Sequence, residues 1–366
     1  MPKSGIGVSI WVFILLNKYE YKQPQNRALE QLSNVGLSLA PGTITDGLQK
    51  LVPIFAPVYK EIVGYSLAAK HWHADETGWK VFEKIENKSS SNWYLWVFCN
   101  NETTVFKAAP SRSSKVISEH FGENHNGGTL SVDRYSAYKT IAKNDLFILA
   151  FCWAHVRRDF LSYSKGYPEH ENWGLSWIKD IANLYHINNL RCENPQNSKT
   201  FCKYHDQLKH AVKKMRKKLD KELAPDSNTP YIAKKVLKSL DNHWDGLTVF
   251  INHPEIPMDN NTAERALRPS VVGRKNYYGS QAIWSAQLAA YLFTILGTLK
   301  LWEINPQTWL LRYLQECAHS GGEQVPVNID KFLPWRMTDE QINIFRSPLD
   351  SHTSLMKDDS TIIDTG

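Results

Sequence analysis

No stretch of this sequence is apolar for long enough to cross a bilayer. The best candidate, Val8 to Leu16, falls well short of a spanning helix. No small-residue cleavage site follows it, so a signal peptide is not expected either, and the run reads as a buried helix. Cysteine is sparse. Cys99, Cys152, Cys192, Cys202 and Cys317 are odd in number and lack disulfide-like spacing, which excludes a stapled secreted scaffold and points to a reducing, cytoplasmic setting. Internal repeats and low-complexity tracts are also missing.

What is present is the balance of a globular protein. Hydrophobic residues make up 42% and charged residues 22% of 366 residues, enough to bury a core without disulfides or a structural metal. Thirteen Trp, sixteen Tyr and fourteen Phe suit both a packed interior and stacking on bases, so aromatic content alone decides nothing. The formal net charge of +6 favours a polyanionic partner without requiring one. Its distribution says more: between Lys203 and Lys238 basic residues outnumber acidic ones by roughly three to one. The run Lys213, Lys214, Arg216, Lys217, Lys218 at the centre reads equally well as a solvated helix face or as a track for DNA phosphates.

Residues 1–70 read as a compact helical region. Leu29, Leu32, Val35 and Leu37 precede the turn signal Ala40-Pro41-Gly42, and a second helix opens at Thr43-Ile44-Thr45-Asp46 and runs through Leu48, Leu51 and Val52. Such a pair could dock in a DNA groove, although helix pairs more often simply pack. From His71 the period changes. Trp79–Lys84, Trp93–Cys99 and Thr103–Ala108 read as a three-strand meander. A helix near Ser114–Phe121, a strand Thr129–Val132 ending at Asp133, a helix Ser136–Ala142 and a strand Phe147–Phe151 come next. After Trp153 the pattern is helical to about Ile251, a further helix starts at Asp259–Asn261, and two more fill Ser285–Ala318. These give a catalytic domain over 71–345, with a helical insertion at about 160–255 and C-terminal helices at about 285–320. The stretch 346–366, especially after Pro348, is polar, rich in Ser, Thr and Asp, and expected to be frayed.

This order is that of an α/β, ribonuclease-H-like fold: a mixed five-stranded sheet flanked by helices, with a large all-helical insertion before the last catalytic helix. Ligand-binding residues in such sheets gather at strand ends and helix starts, so Asp75, Asp133 and Glu264 can meet despite their separation in sequence. Phosphodiester cleavage needs such a cluster. Two divalent ions about 3.5–4 Å apart can activate the attacking oxygen and stabilise the leaving one. Oxygen ligands favour Mg²⁺, with Mn²⁺ as substitute. In that scheme Asp75 bridges the ions, Asp133 holds one and Glu264 the other.

Each carboxylate also has an ordinary explanation. Asp75 could be a turn residue and Asp133 a helix cap. Asn261-Thr-Ala-Glu264 has the spacing of a capping box, in which Glu264 would reach back to the helix start. The surroundings favour function. Asn260, Glu264 and Arg268 fall one helical turn apart, and Arg265, Arg268, Arg274 and Lys275 crowd the same stretch, where they could hold phosphates. Glu76 and Thr77 flank Asp75 as supporting residues.

Taken in order, His73-Ala-Asp-Glu-Thr77, Val132-Asp-Arg-Tyr-Ser-Ala-Tyr138, Cys152-Trp-Ala-His-Val-Arg-Arg158 and Asp259-Asn-Asn-Thr-Ala-Glu-Arg-Ala-Leu-Arg-Pro269 resemble the insertion-sequence-sixty-six family of bacterial transposases. Gly273-Arg-Lys-Asn276, Gly279-Ser280 and Phe332-Leu-Pro-Trp335 extend the match over about residues 5–336. The resemblance implies that Asp75, Asp133 and Glu264 are a catalytic triad acting on double-stranded DNA, at element ends and in the target. It further implies a homodimer or larger assembly on DNA, nucleoid association, and accessory proteins of the same element. Two departures stand out. Full-length members look longer at the N-terminus, and this chain starts downstream of their extra segment. Ser270 and Val271 stand where related transposases carry a cation.

His155, with Arg157 and Arg158, is expected to support the site or contact DNA, and Trp153 to pack or stack. Cys152-x-x-His155 and Cys202-x-x-His205 could pair as a Cys₂His₂ zinc site, though the spacing fits no known finger. Two other functions compete with the transposase: a truncated or domesticated DNA-binding remnant, and a zinc hydrolase of the metallo-β-lactamase type suggested by His71-Trp-His73-Ala-Asp75. In the latter Glu76 stands where another His is expected, and Asp133 and Glu264 have no place.

Overall fold

The computed structural model describes residues 5–84, 90–122, 125–142, 147–320, 326 and 328–347; the tail expected after Pro348 lies outside them. The first apolar run forms α1 (Val8–Leu15), prolonged by a π-helical segment, Leu16–Glu20. Next comes α2 (Gln25–Asn34), which buries Ala28, Leu29 and Leu32. The long helix α3 (Pro41–Leu67) opens two residues before the Thr43 start, with Pro41 in the first turn, where a missing N–H costs nothing. It also runs far past Val52, through Pro53 and Pro57. A proline inside a helix costs about 3 kcal/mol, so propensity alone would end α3 there. Tertiary packing overrides it: Ile44, Leu48, Leu51, Phe55, Val58 and Ile62 are all buried, and the Tyr313 hydroxyl donates to Ile54 O at 2.7 Å.

The sheet is built from β1 (His71–Val81), β2 (Asn92–Cys99), β3 (Thr104–Ala109), β4 (Gly128–Val132) and β5 (Phe147–Phe151), in spatial order β3-β2-β1-β4-β5. The first three form the antiparallel meander, and β4 and β5 run parallel to β1. Between β3 and β4 lies α4 (Ser114–Phe121), and between β4 and β5 lies α5 (Ser136–Ile141). This is the ribonuclease-H-like arrangement expected from the order of elements. Asp75 sits in the middle of β1, which begins at His71 and stops at Val81 rather than Lys84. A two-residue strand, β6 (Gly279–Ser280), adds to the far end of β1.

After β5 the chain is helical: α6 (Trp153–Gly166), α7 (Glu171–Cys192), α8 (Lys199–Leu223), α9 (Tyr231–Asp241), α10 (Trp244–Leu247) and α11 (Val249–Asn252). Then come α12 (Asn261–Tyr277), α13 (Ile283–Leu301), α14 (Pro306–His319) and, near the end, α15 (Asp339–Arg346). Strand alternation divides the interior into two cores. Trp79, Val81, Trp93, Leu95 and Val97 face α1, α3, α12, α13 and α14, whereas Trp72, Ala74, Trp96 and Phe98 face α4, α5 and the helices from α6 to α9. The open edge of β3 is covered by α13. The amides of Thr104 and Phe106 donate to the hydroxyls of Thr298 (3.2 Å) and Thr294 (2.8 Å), so two outward backbone donors are satisfied by side chains. Among the described residues no helix is long and apolar enough to cross a membrane.

Candidate active site

The alternation of β1 puts His73, Asp75 and Thr77 on one face and Ala74 and Glu76 on the other. The first face lies against α12, the helix that carries Glu264. Asn260 is the joint. It precedes α12, is almost fully buried, and its amide nitrogen Nδ2 donates to Ala74 O at 2.8 Å. Its Oδ1 lies 3.0 Å from His73 Nδ1, which therefore carries the proton, and its backbone N–H donates to Cys152 Sγ at 3.2 Å. One residue thus sets the start of α12 against β1 through its side chain and against the start of α6 through its backbone. Burial pushes the His73 pKa down, keeping the ring neutral in this role.

The capping-box explanation of Glu264 does not hold. Asn260, not Asn261, is the N-cap, so Glu264 falls one position too late to reach back, and no side chain caps the helix start. Its Oε1 instead lies 3.6 Å from His155 Nε2 and 3.7 Å from the Arg158 guanidinium. That buried oxygen has no hydrogen-bond partner, nor has the buried Nδ1 of His155. Asp133 follows β4 directly, and its Oδ1 accepts from Tyr135 N (2.9 Å) at the entry to α5. Asp75 Oδ1 accepts from Glu76 N at 2.8 Å.

Asp75 lies in an unfavourable setting for a charged carboxylate. Burial raises its pKa from 3.8 to about 7, opposed by the Glu76 amide and reinforced by the charges of Glu76, Asp133 and Glu264. The charges of Asp133 and Glu264 both bear on Asp75. Among the described residues, the ligand-type atoms that gather within 4.8 Å of one another belong instead to Cys152, His155 and Glu264.

Glu76, on the opposite face, is held by residues that sequence reasoning missed. Its side chain is 1% exposed and is pinned by Arg112 at 2.6 Å and by the Tyr138 hydroxyl at 2.6 Å. Arg112 also stacks over the Tyr135 ring, 4.0 Å from its centroid. Tyr138 stood within the Val132–Tyr138 string and could have been flagged from it; nothing near Arg112 in the sequence marks it. This network locks the backbone next to Asp75. His71 and His73, the would-be zinc pair of a hydrolase, are engaged by Ser131 Oγ (2.8 Å) and by Asn260.

Residues 3–288 match the family described as Transposase IS66 family. The chain belongs to that family. It is similar to three uncharacterized proteins of Sinorhizobium fredii (strain NBRC 101917 / NGR234). With y4hP it shares 25% identity over 91% of this chain and 63% of the relative, and with y4jD 25% over 90% and 66%. With y4qI it shares 25% over 74% of this chain and 51% of the relative. The chain thus spans between about half and two thirds of the length of these curated relatives. Asp75, Asp133 and Glu264 all lie within the matched segment.

The cations of this IS66-family chain fall into two groups. Arg157, Arg158, Arg265, Arg268 and Lys275 are exposed, as are Lys213, Lys214 and Lys217 on α8. Of these, Arg158 approaches Glu264 at 3.7 Å and Arg265 donates to Thr262 Oγ1 at 3.4 Å; the remaining candidate cations are held more closely. Arg274 donates to Thr77 Oγ1 (3.1 Å) and to Gly78 O, tying α12 to β1. Arg216 bridges Asp220 (2.6 Å) and Asp241 (2.7 Å), and Lys218 pairs with Asp180 (2.7 Å) above the Trp177 ring. Trp153 is fully buried and donates to Leu247 O at 2.6 Å, so it packs and does not stack on bases. Cys202 is exposed and His205 lies against Arg191. Among the described residues, these two do not join Cys152 and His155 in a ligand cluster.

Proposed function

We propose that this chain carries the catalytic core of a DNA transposase, with Asp75, Asp133 and Glu264 holding two divalent ions, Mg²⁺ or in its place Mn²⁺. The observation that carries the reading is the buried Asp75 carboxylate, raised to about 7 in the field of two other carboxylates that arrive from a different strand end and from α12. Membership of the IS66 family supplies the class of reaction. The residues fit the ions: Glu264 Oε1 is buried without a hydrogen-bond partner, and the three donors are oxygens, the preference of a hard cation. When bound, the ions would supply activation of the attacking oxygen and charge stabilisation at the leaving one.

The chain's own residues do the rest. Asn260 and His73 fix the approach of α12 to β1, so the Glu264 carboxylate is presented to the Asp75 face. Arg112 pairs with Glu76 and the Tyr138 hydroxyl donates to it, fixing the carboxylate that neighbours Asp75. Arg158 and Arg268, both exposed, are placed to take the phosphate oxygens flanking the scissile bond. Arg157, Arg265 and Lys275 extend this contact along the duplex, and Lys213, Lys214 and Lys217 form a more distant track. The reaction is hydrolysis at an element end followed by attack of the freed 3′-hydroxyl on target DNA, with no covalent enzyme intermediate. Handling two ends calls for at least a dimer.

The test is Mg²⁺-dependent nicking of a labelled duplex bearing the element's own terminal repeat, wild type beside Glu264→Gln. Cleavage by wild type and a loss of about 10³-fold or more in the variant is the expected result. Equal cleavage by both would refute the role of Glu264. DNA binding without cleavage by either would favour a DNA-binding remnant.

A further inference from the structure

The crowding of Cys152, His155 and Glu264 shares one carboxylate with the Asp75 and Asp133 cluster, but its other donors have a different chemistry. Their three ligand atoms lie within 4.8 Å of one another without an ion present. Tetrahedral zinc, with bonds of about 2.0–2.3 Å, holds its ligand atoms about 3.3–3.8 Å apart, so the set closes by up to about 1.5 Å around an ion, and it takes three protein ligands with one position open. The set comprises one sulfur, one nitrogen and one oxygen. Magnesium avoids thiolate and imidazole, whereas zinc prefers them.

Other features single this cluster out. Glu264 Oε1 and His155 Nδ1 are buried and lack hydrogen-bond partners, although they sit among polar groups. Cys152 is buried at the start of α6, where its sulfur accepts from the backbone N–H of Asn260 at 3.2 Å. Opposing them, the Arg158 guanidinium stands 3.7 Å from Glu264 Oε1 and must turn outward; it is 56% exposed and free to do so.

We propose that Cys152, His155 and Glu264 form a second cation site, for a soft divalent ion of the zinc class, that withdraws Glu264 from the catalytic set. Binding releases the Cys152 thiol proton to solvent and leaves the ion with one open position. Zinc and the catalytic metal then compete for one carboxylate, and zinc holds the enzyme off. The competition rests on the transposase reading; the binding does not.

The test uses the full chain under reducing conditions, with Co²⁺ alone as the spectroscopic probe. A thiolate-to-cobalt charge-transfer band should appear with one ion per chain and be abolished by Zn²⁺. It should survive Cys192→Ser/Cys202→Ser, which removes the exposed thiols, and vanish in Cys152→Ser, where serine keeps the acceptor for the Asn260 amide. His155→Gln should weaken Co²⁺ binding by about 100-fold or more. Absence of the band in the wild type, or its persistence in Cys152→Ser, overturns the site. In the nicking assay, with each protein normalised to its own zinc-free rate, Cys152→Ser should need about 100-fold more Zn²⁺ for half inhibition. Equal sensitivity overturns the competition. A cobalt band in a protein that never nicks DNA would leave the zinc site standing and count against the transposase reading instead.

Discussion

Asp75→Asn should make the metal-free protein more stable at alkaline pH, although it destroys the proposed active site. The wild-type carboxyl is raised from 3.8 to about 7 by burial and by Glu76, Asp133 and Glu264. Between those two values the native state retains a proton that the unfolded chain has lost, so stability falls as pH rises, and above about 7 the full penalty is present. Three units correspond to about 4 kcal/mol, and partial solvation of the site brings the expected effect to about 2 kcal/mol. Asparagine carries no charge to bury, and its carbonyl can still accept the Glu76 N–H. In thermal melts with chelator present, the variant should therefore melt several degrees above wild type at about pH 8, while the gap closes near pH 4. Added Mg²⁺ should raise the wild type and narrow the difference, because the ion binds the native state through the charged carboxylate. A gap at about pH 8 no larger than that near pH 4 would refute the electrostatic account of this site.

The Glu76 network gives a second expectation. Arg112→Ala should cost about 2–3 kcal/mol in urea unfolding, because it strands a buried carboxylate, whereas Arg112→Ala on a Glu76→Gln background should cost far less. Equal losses in both backgrounds would mean that Arg112 acts through packing alone. At Gly47 an added Cβ would sit 1.9 Å from the Trp11 ring, which is itself buried, so Gly47→Ala should destabilise by about 1–3 kcal/mol or more by the same measurement. On α8, replacing Lys213, Lys214 and Lys217 together by Ala should reduce the salt slope of duplex binding by up to about 2.7 without altering stability. Arg216→Ala should do the opposite, and an unchanged slope for the triple variant would remove α8 from the DNA surface.

The order of strands and helices was legible because periodicity is local: β2, β4 and β5 begin and end within a few residues of their sequence boundaries, and α12 begins where its start signal stands. The length of α3 was not legible, since Pro53 and Pro57 are local stop signals and the burial that overrides them is tertiary. In the candidate site, the carboxylates could be named from spacing and resemblance. The contacts that hold them could not. Asn260 reaches Ala74 across 186 positions, Tyr138 reaches Glu76 across 62, and Arg112 reaches it across 36. The basic run on α8 shows the same limit. Five cations in a row look alike in sequence, yet Arg216 and Lys218 have acidic partners on neighbouring helices while Lys213, Lys214 and Lys217 do not share those bonds.

The route of the chain has a consequence for when this protein can act. β1 is made early and α12 late, with the whole helical block from α6 to α11 between them, and the Asn260 joint closes that loop by bringing its two ends together. Such long-range closure is slow and comes after local structure. A growing or broken chain can therefore hold a finished β1 with Asp75 in place and still lack Glu264. On the proposed reading of Asp75 and Glu264, topology alone would withhold DNA cutting from incomplete molecules.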